Sequence, residues 1–498
     1  MDPGTRRIGS SSFARLLGSW RPPDDRGLAV ALAERVRLLV LDGRLPIDTR
    51  VPAERELAVS LEVSRTTVAA AYETLRVDGY LESRRGAGSW TRVPATAVTG
   101  PDAYAVETPF SPLTGGGLTD LAHAALAAPT DAIRKATLAA VGDLDGHLGG
   151  HGYSLAGIPV LREAVARRFT ARGVPTTPDQ ILVTTGAQNA IVLVLALFTA
   201  PGDRVLVEHP TYPNALDAIR GRGARPVPVP LTDAATRVGS VSGGWDLELL
   251  RDTVRDANPA LTYLVPDFHN PTGAVMTPAE RAGVVELARR TRTPLVVDET
   301  LTELPLDVPA PQPVAAHAPD SPLVVTIGSA SKVFWGGLRI GWIRAAPAVI
   351  RRIAALRPAV DLGGAVLDQL VTARLVDDVE AVVAERQADL RVARADLLAG
   401  LARSFPQWRP NRPTGGLSLW VDLGEPVSSL LSGAARRHGV LVAAGPRFGL
   451  DGAFERHIRL PFTVRPDRMA TALERLTAAW QGLHHQPDGD VADSIAVA

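Results

Sequence analysis

Residues 327–342 read Ile327-Gly-Ser-Ala-Ser-Lys332-Val-Phe-Trp-Gly-Gly-Leu-Arg339-Ile-Gly-Trp342. Of the 53 lysine and arginine residues in the chain, only Lys135 and Lys332 are lysines. A composition so far drifted towards arginine leaves lysine mainly where a guanidinium cannot substitute. Arginine stays cationic, whereas a lysine of depressed pKa is an amine nucleophile towards carbonyl compounds. Lys135 has no such surroundings and reads as an exposed helix residue. Around Lys332, two small hydroxyl residues precede the amine and a glycine pair leads to an arginine seven positions later. Ser329, Ser331 and Arg339 can grip a phosphate while Lys332 holds an aldehyde.

Working outward, the flanking sequence alternates strands and helices, as an α/β domain does. Gln180–Thr185 reads as a strand, and Gly186-Ala-Gln188 opens an apolar helix over 189–199 whose N-terminus suits a phosphate. Further strands over 203–208, 261–266, 295–298 and 323–327 deliver His209-Pro-Thr-Tyr-Pro213, Asp267-Phe-His-Asn-Pro-Thr-Gly273, Asp298-Glu299 and the lysine stretch. Ligands of open parallel sheets collect at the C-terminal ends of strands, and each group falls at such an end. Pyridoxal phosphate (PLP) needs an amine, a carboxylate for its ring nitrogen, a donor to its phenolate, a ring partner and a phosphate cup. Lys332, Asp298, Asn270 and Tyr212 supply the first four. Gly186, Ala187, Gln188, Ser329, Ser331 and Arg339 supply the cup.

At 498 residues the chain is too long for a single core. Its formal net charge is zero, which argues against nonspecific nucleic-acid binding through bulk charge. The absence of cysteine excludes disulfides and thiolate metal sites. With no signal peptide and no long uncharged apolar run, the expectation is a cytoplasmic protein without a membrane span.

The N-terminal part has a different grammar. After an extension over residues 1–26, with one apolar piece at Phe13–Trp20, helical spacing over 28–41 ends at Asp42-Gly43. A second helix fits 52–60, with Pro52 at its first position. Ser64 caps a third over 65–78, closed by Gly79. Residues 80–90 read as a hairpin turning at Arg84-Arg-Gly-Ala-Gly88. Three helices and a basic hairpin make a winged helix-turn-helix whose third helix suits a DNA major groove. Residues 26–92 hold eleven arginines against nine acids, so the pattern rather than the charge carries this reading.

The stretches 51–58, 63–68 and 71–81 resemble the GntR family of bacterial regulators. That resemblance implies DNA contacts from Arg55, Arg65, Thr66 and Thr67, and from Arg85 and Gly86 in the wing. Over roughly 360 residues, Gly152–Arg162, Asn270–Gly273, Ser329–Lys332 and His457–Leu460 resemble the fold-type I aminotransferases. The resemblance implies that Arg459 binds an amino-acid carboxylate, as bidentate recognition suits arginine. It also brings a departure: Thr300 and Leu301 stand where such enzymes usually carry a phenolate-contacting tyrosine.

The expected organisation is an extension (1–26), a winged helix (27–93), a Pro-, Thr- and Gly-rich linker (94–117), an aminotransferase-like domain (118–482) and a tail (483–498). Such a chain is similar to the MocR subfamily. This implies a regulator that binds double-stranded operator DNA as a head-to-tail homodimer and senses PLP or an amino compound. A working aminotransferase carrying a DNA-binding domain is the alternative, and a repressor that has lost its cofactor is a third.

Overall fold

The computed structural model describes residues 6–18, 20–22, 27–41, 45, 49–84, 88–92, 118–232 and 243–484. The expected linker, the wing turn with Arg85 and Gly86, and the tail from 485 lie outside the described residues.

In the N-terminal domain, helices α1 (Ser10–Leu17), α2 (Leu28–Leu41), α3 (Glu54–Leu61) and α4 (Arg65–Val77) pack on a sheet of β1 (Arg6–Arg7), β2 (Thr49–Arg50), β3 (Leu81–Arg84) and β4 (Gly88–Thr91). Strand order is β1-β2-β4-β3. Leu32, Val36 and Leu39 of α2 are fully buried with Leu57, Val68, Ala71 and Leu75, one face of each helix meeting the others. The apolar piece near the N-terminus forms two turns, and its Phe13 and Leu17 complete this core. Helix α3 stops at Glu62, which takes a left-handed conformation, and Ser64 starts α4 by accepting a hydrogen bond from Thr67 N at 3.0 Å.

The large domain opens with β5 (Thr119–Leu121). Its central sheet comprises β6 (Ile181–Thr184), β7 (Arg204–His209), β8 (Arg225–Pro230), β9 (Leu261–Leu264), β10 (Leu295–Asp298), β11 (Val324–Ser329) and β12 (Gly341–Arg344), ordered β6-β12-β11-β10-β9-β7-β8. Strands β7 to β11 pair in parallel, and β12 alone runs antiparallel to both its neighbours. Strands β6, β9, β10 and β11 are buried along their whole length, which explains their unbroken apolar runs. Strand β8 carries Pro226, Pro228 and Pro230 and lies at the edge, where missing N–H donors leave no neighbour unsatisfied. The run from 225 to 230 was not legible as a strand for that reason.

A second sheet, ordered β13-β14-β16-β15-β5, is formed by β13 (Arg409–Pro410), β14 (Ser418–Asp422), β15 (Val440–Ala444), β16 (His457–Pro461) and β5. Residues from both ends of the large domain therefore share one subdomain. Among the described residues no helix is long and apolar enough to cross a membrane, and no cluster could hold a metal ion.

Candidate functional site

The C-terminal edge of the central sheet carries the expected groups. Strand β10 ends on Asp298, β11 runs into Ser329 and the turn holding Lys332, and β6 leads into the helix Gly186–Phe198. Strand β12 begins at Gly341, just past Arg339, so the hairpin returns the arginine to the same edge.

The Lys332 amine donates to the Ala124 carbonyl at 2.8 Å. Loss of solvation and the nearby Arg459 guanidinium lower its pKa to about 8, while Asp298 opposes the shift. Asp298 is buried, and burial pushes its carboxyl upward against hydrogen bonds from Tyr263 Oη to Oδ2 at 2.7 Å and from Thr300 N to Oδ1 at 3.1 Å. Arg459 donates from NH1 to Asn270 Oδ1 at 3.2 Å and from NH2 to the Ala122 carbonyl. Its Cζ lies 5.1 Å from the Phe448 ring centroid. Burial and the neighbouring Arg447 lower the Arg459 pKa to about 10. Burial and Asp298 raise that of Tyr212 to about 12, and its hydroxyl accepts from Asn214 Nδ2 at 3.0 Å.

A few residues away lies the cradle. Gly186 takes a φ of +81°, and a Cβ there would come 2.7 Å from an Arg339 nitrogen. Only glycine lets the guanidinium sit over the helix N-terminus. Arg339 donates to the Thr185 carbonyl at 3.2 Å, and the Ser329 and Ser331 hydroxyls are 2.8 Å apart. Ala187 packs against the apolar cluster below. Gln188 turns its amide to the Asn214 carbonyl at 3.1 Å, and its Oε1 is buried without a partner. Gln188 thus directs its side chain to Asn214 while its backbone stays in the first turn of the helix that borders the cradle.

These residues fit PLP on three counts. The amine is desolvated, a buried carboxylate lies near enough to influence it, and a helix N-terminus, an arginine and two hydroxyls form an anion cradle that a single Cβ would fill. The buried Nε of Arg459, left without a partner, marks unused donor capacity where a carboxylate can bind.

Tyr263 escaped the sequence reading. It is fully enclosed on β9, paired across from Val296 of β10, and its partner Asp298 lies two residues further along β10. Its place in an apolar run, Leu261-Thr-Tyr-Leu264, marks it as core, and only strand order reveals the contact. The Ala122 and Ala124 carbonyls also lacked any signal, because a backbone acceptor leaves no trace in residue type.

On the N-terminal domain, Arg55, Arg65 and Thr66 are exposed and Thr67 half-exposed. The Thr66 and Thr67 hydroxyls lie 2.6 and 2.8 Å from Ser64 Oγ. Arg65 is 72% exposed, and its nearest acid is Glu54 at 3.8 Å. These four side chains cluster about the N-terminus of α4 and the first turns of α3.

Comparison with known proteins assigns both parts. Residues 120–476 match the model of the class I and II aminotransferases, and residues 28–90 that of the bacterial regulatory proteins of the gntR family. An uncharacterized HTH-type transcriptional regulator, YisV of Bacillus subtilis, is 25% identical over 90% of this chain and 95% of its own length. The probable rhizopine catabolism regulatory protein MocR of Rhizobium meliloti is 29% identical over 64% of this chain and 65% of its own. Among solved structures, the α-aminoadipate aminotransferase LysN of Thermus thermophilus, complexed with N-(5'-phosphopyridoxyl)-L-leucine, superposes with a TM-score of 0.67 at 25% identity, covering 74% of this chain and 93% of that one. The chain belongs to the class I and II aminotransferase family and carries a GntR-type helix-turn-helix domain at its N-terminus.

Proposed function

We propose that this protein is a cytoplasmic, PLP-dependent transcriptional regulator that binds operator DNA and senses PLP or an amino compound. The observation that carries the reading is the presence in one chain of an exposed polar helix N-terminus at Arg65 and Thr66 and a half-buried lysine, Lys332, whose amine is influenced by the buried Arg459 and Asp298. PLP, when bound, supplies an aldehyde for the lysine and an aromatic ring that accepts electron density. Lys332 supplies the nucleophile, and its lowered pKa leaves a substantial share of it neutral near pH 8. Asp298 would hold the ring nitrogen, Asn270 the phenolate and Tyr212 the ring. Gly186, Ala187 and Gln188 at the helix N-terminus, with Ser329, Ser331 and Arg339, would hold the phosphate. Arg459 binds the carboxylate of the amino compound, exchanging the Ala122 carbonyl for it.

A head-to-tail homodimer completes the reading. Tyr153, Trp335, Val360 and Leu362 are exposed apolar residues. Arg357 ties the segment before the last two to the Leu155 carbonyl at 2.6 Å, and Asp361 reaches Thr185 of the cradle at 3.4 Å. An apolar face bordering the phosphate cradle is suited to a second copy. Sedimentation at micromolar concentration tests it: a dimer is expected, and a monomer contradicts it.

The test of the function is a mobility-shift assay on the intergenic DNA beside the gene, with and without PLP, at stated salt. A specific shift that changes with PLP is expected, and no PLP response on any bound fragment contradicts the sensing role. The complete set of Lys332, Asp298, Asn270 and Arg459 favours a second reading, a working aminotransferase. Rapid multiple turnover between an amino donor and a keto acceptor would establish it, whereas stalled half-reactions support the regulator.

A further inference from the structure

The two domains of this chain meet through a charge that neither can leave unpaired. Arg35 of α2 is 3% exposed and Glu455, between β15 and β16, is 7% exposed. They form an ion pair, and Arg35 also reaches Ser429 Oγ on the helix Ser428–Arg437, while its Nε donates to the Leu17 carbonyl at 2.6 Å. Glu455 accepts from Ser429 Oγ at 2.7 Å, Ser429 N at 3.0 Å and Ser428 Oγ at 3.1 Å. It caps that helix while neutralising a cation from the DNA-binding domain. Around this centre the fit is close. A Cβ on Gly433 would lie 3.0 Å from Leu38, one on Gly18 would lie 3.6 Å from Gly452 Cα, and Arg437 sits 3.9 Å from Glu34.

A buried ion pair adds little net stability, but losing one partner strands the other charge out of water. Such a pair makes a contact that is either fully made or given up. The Glu455 loop also leads back to the ligand site. The Phe448 carbonyl accepts from Thr211 N at 2.8 Å, next to Tyr212, and its ring covers Arg459. Leu450 N donates to His209 Nε2 at 3.0 Å. Asp451, Gly452 and Phe454 then take positive φ values of 52°, 81° and 71°, turning the chain into Glu455. One loop of eleven residues, 445–455, touches the carboxylate-binding arginine at one end and the DNA-binding domain at the other.

We infer that the Arg35–Glu455–Ser429 contact is a releasable lock holding the winged helix on the C-terminal subdomain, and that loop 445–455 transmits the state of Arg459 to it. The inference rests on the regulator reading above. A carboxylate that draws Arg459 from the Ala122 carbonyl moves the guanidinium beneath Phe448, and displacement of that ring shifts the loop whose far end bears Glu455. The head is then freed to choose its position on DNA.

The chain lacks cysteine, so a pair of introduced cysteines can be spin-labelled cleanly. Val59→Cys and Val392→Cys, at exposed positions on the two domains, report their separation in full-length, PLP-loaded protein mixed with excess unlabelled parent, so that each dimer carries at most one labelled chain. The parent should show one narrow distance distribution. Glu455→Gln, and independently Gly433→Leu, which wedges Leu38 without removing a charge, should each broaden it and change the DNA dissociation constant at least tenfold. Arg35→Lys should retain part of the narrow population. Phe448→Ala should broaden the distribution from the ligand end, and Phe448→Leu should largely restore it. A parent distribution already broad, or one unmoved by both Glu455→Gln and Gly433→Leu, would overturn the lock. An unchanged distribution in Phe448→Ala would remove its link to the ligand site. Broadening in the variants together with no specific DNA binding by any form would leave the lock standing and overturn the regulator reading instead.

Discussion

The winged helix and the lysine site of this chain present chemistry in opposite ways. At the winged helix the polar groups fall in one short stretch, 55–67, are largely exposed, and include groups set by short-range bonds such as the Ser64 cap on α4. At the lysine site they are scattered from Ala122 to Arg459, mostly buried or half-buried, and held by contacts between segments far apart in sequence, such as Arg459 to Ala122. Exposed groups near a helix end lie open to a partner without rearrangement of the core. Those at the lysine site perturb each other, which lowers the pKa of the Lys332 amine. The comparison teaches that damage should be graded at the DNA-binding surface and steep at the lysine site.

The steepest expected loss is at Lys332. Lys332→Ala should retain no visible absorbance after PLP is added and free cofactor removed, and a retained band would show that another amine holds it. Next is Arg459→Ala, which strands a bound carboxylate beside apolar Phe448. Affinity for an effective amino compound should fall by about 2–5 kcal/mol, read from titration of the cofactor absorbance. A loss below tenfold would move carboxylate recognition elsewhere.

A pH measurement separates the two regions further. In the apo-protein the rate of PLP uptake should rise with pH through a midpoint near 8, because burial disfavours the ammonium and only the neutral amine attacks. Asp298 favours the charged form, so Asp298→Asn should move that midpoint lower. A midpoint at the ordinary lysine value of 10.5 would contradict the desolvated amine.

On the DNA side the effects are smaller. If Arg65 reads a base edge, Arg65→Ala should weaken specific binding by about 1–3 kcal/mol and relax preference at one position. Uniform weakening across sequences would make it a phosphate contact. Ser64→Ala, which removes the α4 cap, should lower winged-helix stability by about 1 kcal/mol in denaturant unfolding. A loss far greater would mean that the cap supports more than its own helix.

Much of this was legible before any coordinates. The winged helix was readable because its signals are local: a cap, a left-handed stop and apolar positions at helical spacing. Element ends moved by a residue or two, and the second helix began at Glu54 rather than Pro52. The residues gathered at the C-terminal edge of the central sheet were readable because strand ends deliver them there. The interface between the domains was not, since Arg35 looks like any polar helix residue and Glu455 like any loop acid. Only their shared burial reveals the pair. Tyr263 and the edge strand over 225–230 were missed for related reasons, an aromatic inside an apolar run and a strand whose prolines read as a loop. Gln188 lies in the first turn of the helix Gly186–Phe198, as its glycine turn suggests, and only its side-chain bond to Asn214 was not legible.

The central claim is that one chain joins a lysine-held cofactor to DNA binding. The most direct measurement is the DNA dissociation constant of wild type and Lys332→Ala on the same specific fragment, by fluorescence anisotropy at fixed salt, with and without PLP. The account predicts a shift with PLP in wild type that Lys332→Ala lacks, with both proteins alike in its absence. Equal responses in the two proteins, or none in a wild type shown by absorbance to be loaded, would contradict it.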